Sequence, residues 1–555
     1  MKYFYCICFF FLFWGAKVTG MAAEWQWSVQ IPSILSQETE AHPQAFLWIP
    51  ADCERVKAVV VGQHNMCEET LFGNPLFRRQ MQEAGIALVW ITPILDFPWD
   101  VKTGCNEALL TAIDDLAEVS GYSELKVVPI IPLGHSAMAT FPWNFAAWNP
   151  ERTLAVVSYH GDAPRTNLTG YGGANLEWGR TRNIDGIPGL MIEGEYEWWE
   201  ARVNPALAFR MMYPRSCISF LCDTGRGHFD VADRTAEYIG LFLKKAVEYR
   251  LPGNVDWSKP VTLKKLNPRD GWLAERWRTG TEEPQGEVRT ARLKKQPRRT
   301  KPASWLQYKG DRHDAFWYFD REMAELTEAI YRQEYDLLPQ YVSFMQNGHL
   351  VPYNPKSHVT LSARFLPGVD GVTFHLKAVY TDSLRRMTVD KHSVAVPRIE
   401  RICGPVRQVD DTTFVLNFYR MGTTNKRRTS SITLVASAGG DRRYKECVQE
   451  LSFNIPYPLT GGRRQNILFP GLDDVPVGTE SVSLEATSDC GLPVYYYVKE
   501  GPAEVKEGKL VFTKIPPRSK FPLKVTVVAW QYGVAGKIQT AESVERSFFI
   551  TSQQK

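Results

Sequence analysis

Between residues 45 and 245, short apolar β-rich runs alternate with stretches whose apolar residues recur at helical spacing. Parallel strands with helices on both faces produce that pattern, because strands buried on both sides read as continuous apolar runs. The runs are Ala45 to Ile49, Val56 to Val61, Ala87 to Thr92, Val127 to Leu133, Leu154 to Tyr159, Gly189 to Glu193 and Cys217 to Cys222. Asn106 to Val119 carries Leu109, Ile113 and Leu116 on one helical face, and Asp233 to Glu248 reads as a closing helix. From Gly280 to Ser304 the chain turns polar, with Arg289, Arg292, Lys294, Lys295, Arg298, Arg299 and Lys301 crowded together. That stretch predicts a solvated loop, or alternatively a basic rim for an acidic polymer. Helical spacing returns from Asp320 to Leu337. Beyond about residue 356 the texture becomes short alternating runs broken by Gly, Pro and Asp: His358 to Phe365, Val372 to Tyr380 and Thr413 to Tyr419, then Ser481 to Ala486, Val494 to Val498 and Lys524 to Trp530. Turn signals at these intervals predict β-sandwiches. The expected architecture is α/β, a doubly wound sheet followed by all-β domains: a catalytic unit over 23–355 with a C-terminal elaboration, a β-sandwich-like unit over 356–460 and an Ig-like sandwich over 461–555.

The first residues change the picture of compartment. Met1 and Lys2 precede an apolar run from Tyr3 to Trp14, with small residues around Gly20, Ala22 and Ala23. This order predicts a signal peptide over 1–22 and export to the periplasm or cell surface. No later run is long and apolar enough to span a bilayer. With 44% hydrophobic residues in a chain of 555, core material is ample and wholesale disorder is excluded. A net charge of +4 gives no ground for nucleic-acid binding. The cysteines after the leader, Cys53, Cys67, Cys105, Cys217, Cys222, Cys403, Cys447 and Cys490, contain no C-x-x-C pair, which argues against a zinc ribbon. In an exported chain one or two disulfides are expected, Cys67 with Cys105 being the favoured pair.

Chemistry concentrates at the ends of strands. The run to Leu133 leads directly into Gly134-His135-Ser136-Ala137-Met138-Ala139 and then a helical stretch. A strand-to-helix turn of this kind lifts a serine hydroxyl above the sheet, and small neighbours let the backbone turn without collision. Met138 stands where the usual motif has a second glycine. A serine hydroxyl needs a base that is itself oriented by an acid. After the last strand, Asp223-Thr224-Gly225-Arg226-Gly227-His228 presents His228 as the base, while Glu193, Glu195 and Glu197 follow the penultimate strand as candidate acids. Gly62-Gln63-His64-Asn65-Met66 follows the second run and offers Asn65 or His64 as one oxyanion donor, with Ala137 as the other. His64 and His160 both follow strands and are candidates to line the pocket.

On these residues the chain resembles the α/β-hydrolase superfamily over roughly residues 40 to 250. The resemblance implies a Ser, acid, His order and an acid three residues past the glycine that ends its strand, which selects Glu197. Phe141-Pro142-Trp143-Asn144, Trp148-Asn149-Pro150 and Glu193-Gly194-Glu195-Tyr196-Glu197-Trp198 look like exported esterases of gut Bacteroidetes polysaccharide-degradation systems. Gln465 to Phe469, Gly491-Leu492-Pro493-Val494 and Val527-Val528-Ala529-Trp530 are similar to the Ig-like modules of such proteins. The family suggested is the carbohydrate esterases that remove methyl esters from galacturonic acid in pectin, including rhamnogalacturonan II. It implies a pectic substrate and no metal or organic cofactor.

A sugar-acid substrate calls for apolar platforms and cations. Trp143, Tyr159, Trp178, Trp198 and Trp199 are candidates for the first, and Arg165, Arg180 and Arg182 for the second. The same triad also serves a sugar O-acetyl or feruloyl esterase, or a peptidase. A non-catalytic glycan-binding scaffold is the reading from a different class.

Overall fold

A computed structural model describes residues 25–97, 99–161, 163–164, 169–170, 173–174, 184–197, 200–278, 299–333, 337–354, 360–420, 425 and 428–552. Its largest sheet has eight strands: β1 (Trp27–Gln30), β2 (Gln44–Trp48), β3 (Ala58–Gln63), β4 (Ile86–Thr92), β5 (Ile130–His135), β6 (Val156–Tyr159), β7 (Pro188–Gly194) and β8 (Cys217–Asp223). They lie in the order β1-β2-β4-β3-β5-β6-β7-β8. β1 and β2 run antiparallel to their neighbours, and β4 through β8 pair in parallel.

Alternation along β3 shows how the sheet is covered. Val60 enters an apolar cluster with Phe77 and Met81 of helix α2 (Pro75–Ala84) and Phe242 of helix α6 (Asp233–Arg250). Val59 and Val61 enter the cluster on the other face, with Leu109, Ile113 and Leu116 of helix α3 (Cys105–Ser120). All three valines are fully buried, so neither face of the strand is wet.

Short α1 (Cys67–Gly73) and α2, absent from the sequence reading, fill the β3-to-β4 crossover. Asn74 starts α2 by accepting from the N–H groups of Leu76 and Phe77 at 2.9 and 3.0 Å, with Pro75 at the first helical position. Helix α4 (Thr140–Trp148) follows β5, and α5 (Glu200–Met212) precedes β8. Strand β1 escaped the sequence reading because four residues with partial burial leave almost no periodic signal.

The stretch after α6 returns to the open edge of the sheet. Strand Ala315–Tyr318 and helix α7 (Arg321–Gln333) dock on β8: Ser219 donates to the Trp317 carbonyl at 2.6 Å, and Tyr331 Oη accepts from the Cys222 N–H at 3.0 Å. Arg299 does not join a basic rim. It is mostly buried, bonded to Glu328 at 3.0 Å and stacked over Tyr331. The other basic residues of that run, except Lys301, lie outside the described residues.

Among the described residues from Tyr341 on, the named elements are all strands. A first region contains Tyr341–Gln346, Lys377–Thr381, Arg398–Cys403, Ser431–Ala438 and Cys447–Asn454. Its core takes in Val342 and Phe344, so it begins about fifteen residues earlier than the expected 356. A second region is a two-sheet sandwich. Val475–Pro476, Val544–Thr551, Leu523–Trp530 and Tyr495–Glu500 form one sheet, and Ser481–Ser483, Lys509–Phe512 and Ala503–Lys506 the other.

The eight described cysteines are all free thiols, and seven of them are buried. Cys67 packs on the α2 face of the sheet and Cys105 on the α3 face, so the expected Cys67–Cys105 disulfide is ruled out by the sheet between them. Among the described residues no helix is long and apolar enough to cross a membrane. The expected leader over 1–22 lies outside those residues.

Candidate active site

At the end of β5 the chain reverses into a helical turn at Ser136, whose φ is +53°. A non-glycine residue there is strained, and the strain is what projects its side chain away from the sheet. Two glycines make room. A methyl on Gly134 would collide with the Met138 carbonyl, and one on Gly161 with the Ala139 side chain. Met138 replaces the usual glycine without opening the turn, because its side chain is buried in a small cluster with Ile94 and Ala137.

Ser136 Oγ lies 2.7 Å from His228 Nε2. His228 Nδ1 in turn contacts Glu197 Oε2. Glu197 sits on the turn after β7, and its Oε1 accepts the Gly194 N–H at 2.9 Å and lies 3.2 Å from His160 Nδ1. Burial alone would raise the Glu197 carboxyl. His228, His160 and Arg202 outweigh it and hold the group below the usual carboxylate range, so it stays ionised beside the imidazole. Burial lowers the His228 pKa below its ordinary value, with Glu197 opposing. The imidazole is therefore neutral and able to accept a proton at neutral pH.

The other two carboxylates are committed elsewhere. Glu193 meets Arg202 at 3.3 Å. Glu195 meets Lys445 at 2.7 Å and accepts the Gly225 N–H at 3.0 Å.

The carbonyl of His228 accepts from His135 Nε2 at 2.9 Å and His160 Nδ1 at 2.7 Å. His135, His160 and His228 thus form a close trio of buried imidazoles. The two nitrogens that face the carbonyl must carry protons to bond it, so the trio is a hydrogen-bonded hub that fixes the base loop. The N–H of His228 is held from the opposite side by Glu450, at 3.1 Å.

The oxyanion loop follows β3. His64 cannot be a main-chain donor, because its N–H continues the ladder to the Ile91 carbonyl at 2.7 Å. Its ring is kept neutral by burial, with Arg428 and Arg401 adding to the effect. The Met66 N–H is taken by Glu68 at 3.0 Å. Asn65 uses its side chain to donate to the His135 carbonyl at 2.9 Å, which brings its main chain beside the elbow. Ala137 opens the turn after Ser136, ahead of that turn's own hydrogen bonds. Asn65 and Ala137 are the pair this pattern leaves for an oxyanion.

Glu68 Oε1 also accepts the His135 N–H, at 2.7 Å, so one carboxylate ties the oxyanion loop to the elbow. Burial pushes that carboxyl up to about 7.

Trp143 is not a stacking platform. It is fully buried, and its ring lies so close to Gly189 of β7 that a methyl there would collide with it. Tyr159 is equally buried, its hydroxyl donating to the Asp230 carbonyl. Trp143, on α4, and Tyr159, the last residue of β6, both pack into the apolar cluster that contains Leu190 and Ile192 of β7. Trp178, Trp198, Trp199, Arg165, Arg180 and Arg182 lie outside the described residues. The sequence reading missed Glu68, Arg202 and Glu450. Their only signal is an acidic or basic residue in an apolar or strand context, which is too common to single them out.

No family model and no curated protein matches the chain. Among solved structures, it is similar to an esterase of the archaeon Pyrobaculum calidifontis, with 18% identity and a TM-score of 0.27 over 39% of this chain and 84% of that one. An S-formylglutathione hydrolase of Agrobacterium tumefaciens shows 14% identity and a TM-score of 0.29, over 40% and 94%. A dienelactone hydrolase of Anabaena variabilis shows 16% and 0.27, over 40% and 96%. At these values the similarity carries no statement about substrate. The strand order, the strained serine after β5 and the histidine after β8 are features of the chain itself, and they give it the α/β-hydrolase fold.

Proposed function

We propose that this protein is a serine carboxylester hydrolase. The observation that carries the reading is the Ser136, His228, Glu197 chain of contacts, buried at the carboxyl ends of parallel strands. His228 takes the Ser136 proton as Oγ attacks the ester carbonyl. Asn65 and Ala137 N–H groups receive the developing oxyanion. The leaving alcohol departs with the proton from His228, and water, deprotonated by the same imidazole, releases the acid from the acyl-enzyme. Glu197 holds the imidazole in the tautomer with a proton on Nδ1 throughout.

The substrate we propose is a methyl-esterified galacturonate of pectin or rhamnogalacturonan, met after export to the periplasm or cell surface. Support for this substrate comes from the sequence resemblance alone. The test is methanol release from methyl-esterified pectic oligosaccharides, with Ser136→Ala as control and acetylated sugars in parallel. Ser136-dependent methanol supports the methylesterase. Acetate moves the substrate to an O-acetyl ester. Neither product, with the wild-type protein folded, points to a glycan-binding scaffold.

Because base function requires a neutral His228 and burial lowers its pKa, kcat/KM is expected to fall only below the ordinary imidazole value of 6.5 as pH drops. An acid limb centred above that value would contradict the buried setting of the base.

A further inference from the structure

Residues Lys445 to Glu450 belong to the first β region, yet they touch both loops that carry the triad's acid and base. Cys447–Asn454 is paired along its whole length with Ser431–Ala438, so the segment is a firm edge. Toward the acid loop, Lys445 Nζ bonds Glu195 at 2.7 Å, and Tyr196 Oη donates to the Glu446 carbonyl at 2.9 Å. These two residues immediately precede Glu197. Toward the base loop, the Glu446 carboxylate takes Arg226 at 2.7 Å and Arg234 at 3.1 Å. Glu450 Oε1 accepts the N–H of His228 itself, from 222 residues away in sequence. The two glycines of the base loop are shaped to this segment. A methyl on Gly225 would collide with Glu446, and one on Gly227 with the Glu450 carboxylate.

The two peptides that flank His228 are thereby gripped, one on each side of its Cα. The His228 carbonyl is held by two imidazoles of the hydrolase unit, and its N–H by a carboxylate of the β region. A charged acceptor on a buried N–H is among the stronger hydrogen bonds a protein makes. Losing it frees the peptide on that side to rotate, which moves Nε2 away from Ser136 Oγ. Small displacements of this kind reduce turnover sharply while leaving binding of a small ester almost untouched.

We infer that Glu450 is a positioning residue for the hydrolytic base, and that the β region is part of the active site rather than an appended module. The inference deepens the esterase reading and rests on it.

The test uses the full chain and p-nitrophenyl acetate, comparing wild type with Glu450→Ala, Glu450→Gln and Tyr196→Phe. Glu450→Ala is expected to lower kcat by about tenfold or more with KM within about twofold. Glu450→Gln keeps an amide oxygen that accepts the same N–H, so kcat is expected to recover to within about threefold of wild type. A folded Glu450→Ala with wild-type kcat overturns the inference, as does a glutamine variant no better than alanine. Should the alanine variant fail to fold, Tyr196→Phe decides. A severalfold lower kcat at unchanged KM supports the inference, and wild-type kcat overturns it. Failure of the esterase reading looks different, because then the wild-type protein itself does not turn over the ester.

Discussion

The two β regions meet the same eight-stranded sheet at opposite ends. The first region reaches the loops at the carboxyl ends of β3, β7 and β8, where Arg401 pairs with Glu69, Lys445 with Glu195 and Glu446 with Arg226. The terminal sandwich holds the loops that enter β3 and β5. Arg518 bonds Glu124 at 2.8 Å and stacks over Tyr122, and the Lys520 N–H donates to the Ser120 carbonyl at 2.9 Å. Ligands of open α/β sheets bind outside the carboxyl ends of the strands. Two regions with the same texture of short strands therefore have different work: one shapes the site, and the other braces the base of the sheet. Which end of the strands a region touches is more informative than its fold class.

Substitutions on the two sides are expected to separate activity from stability. Glu446→Ala, on the site side, leaves Arg226 and Arg234 without their shared carboxylate. It is expected to cost about 3 kcal/mol in urea unfolding and to lower kcat along with it. An unchanged kcat would detach the first region from the site. Arg518→Ala, on the bracing side, leaves buried Glu124 without its cation. A loss of about 2 kcal/mol is expected, with kcat per folded molecule unchanged; a fall in kcat would erase the distinction between the two ends.

An effect read through pH concerns Glu68. Its folded pKa of about 7 lies above the ordinary 4.5, so across that window the folded state binds more protons than the unfolded chain. The group's contribution to stability therefore falls as pH rises from about 4.5 to 7. Glu68→Gln removes the dependence. Its stability relative to wild type is expected to rise with pH through that window, by on the order of 1 kcal/mol per pH unit. Urea unfolding at pH 5 and pH 8 checks this, and a difference that does not change with pH would show that burial does not raise the Glu68 carboxyl as described here.

What was legible in the sequence is what lies close along the chain. Ser136 follows its strand directly and His228 sits in a glycine-bearing loop before a helix, so strand, turn and side chain are read in one window. The same holds for the apolar runs of the sheet, because burial on both faces is written into consecutive residues. Features that depend on which face or which distant element a residue meets were not legible. The His64 N–H is spent on a ladder bond to Ile91 that only the register reveals. Trp143 is one of several aromatic residues the sequence offers as a platform, yet it turns toward Gly189 and the sheet. Cys67 and Cys105 are near in sequence and on opposite faces in space. Glu450 lies in an ordinary alternating strand, with nothing local to mark it as a partner of His228.

The most direct measurement for the triad is reaction of the full-length protein with a fluorophosphonate, followed by mass spectrometry of the intact chain and of its peptides. A single adduct is expected, on Ser136, formed by wild type and absent from Ser136→Ala. No adduct on the folded wild-type protein, or an adduct on another residue, would contradict the assignment of Ser136, His228 and Glu197 as its hydrolytic centre.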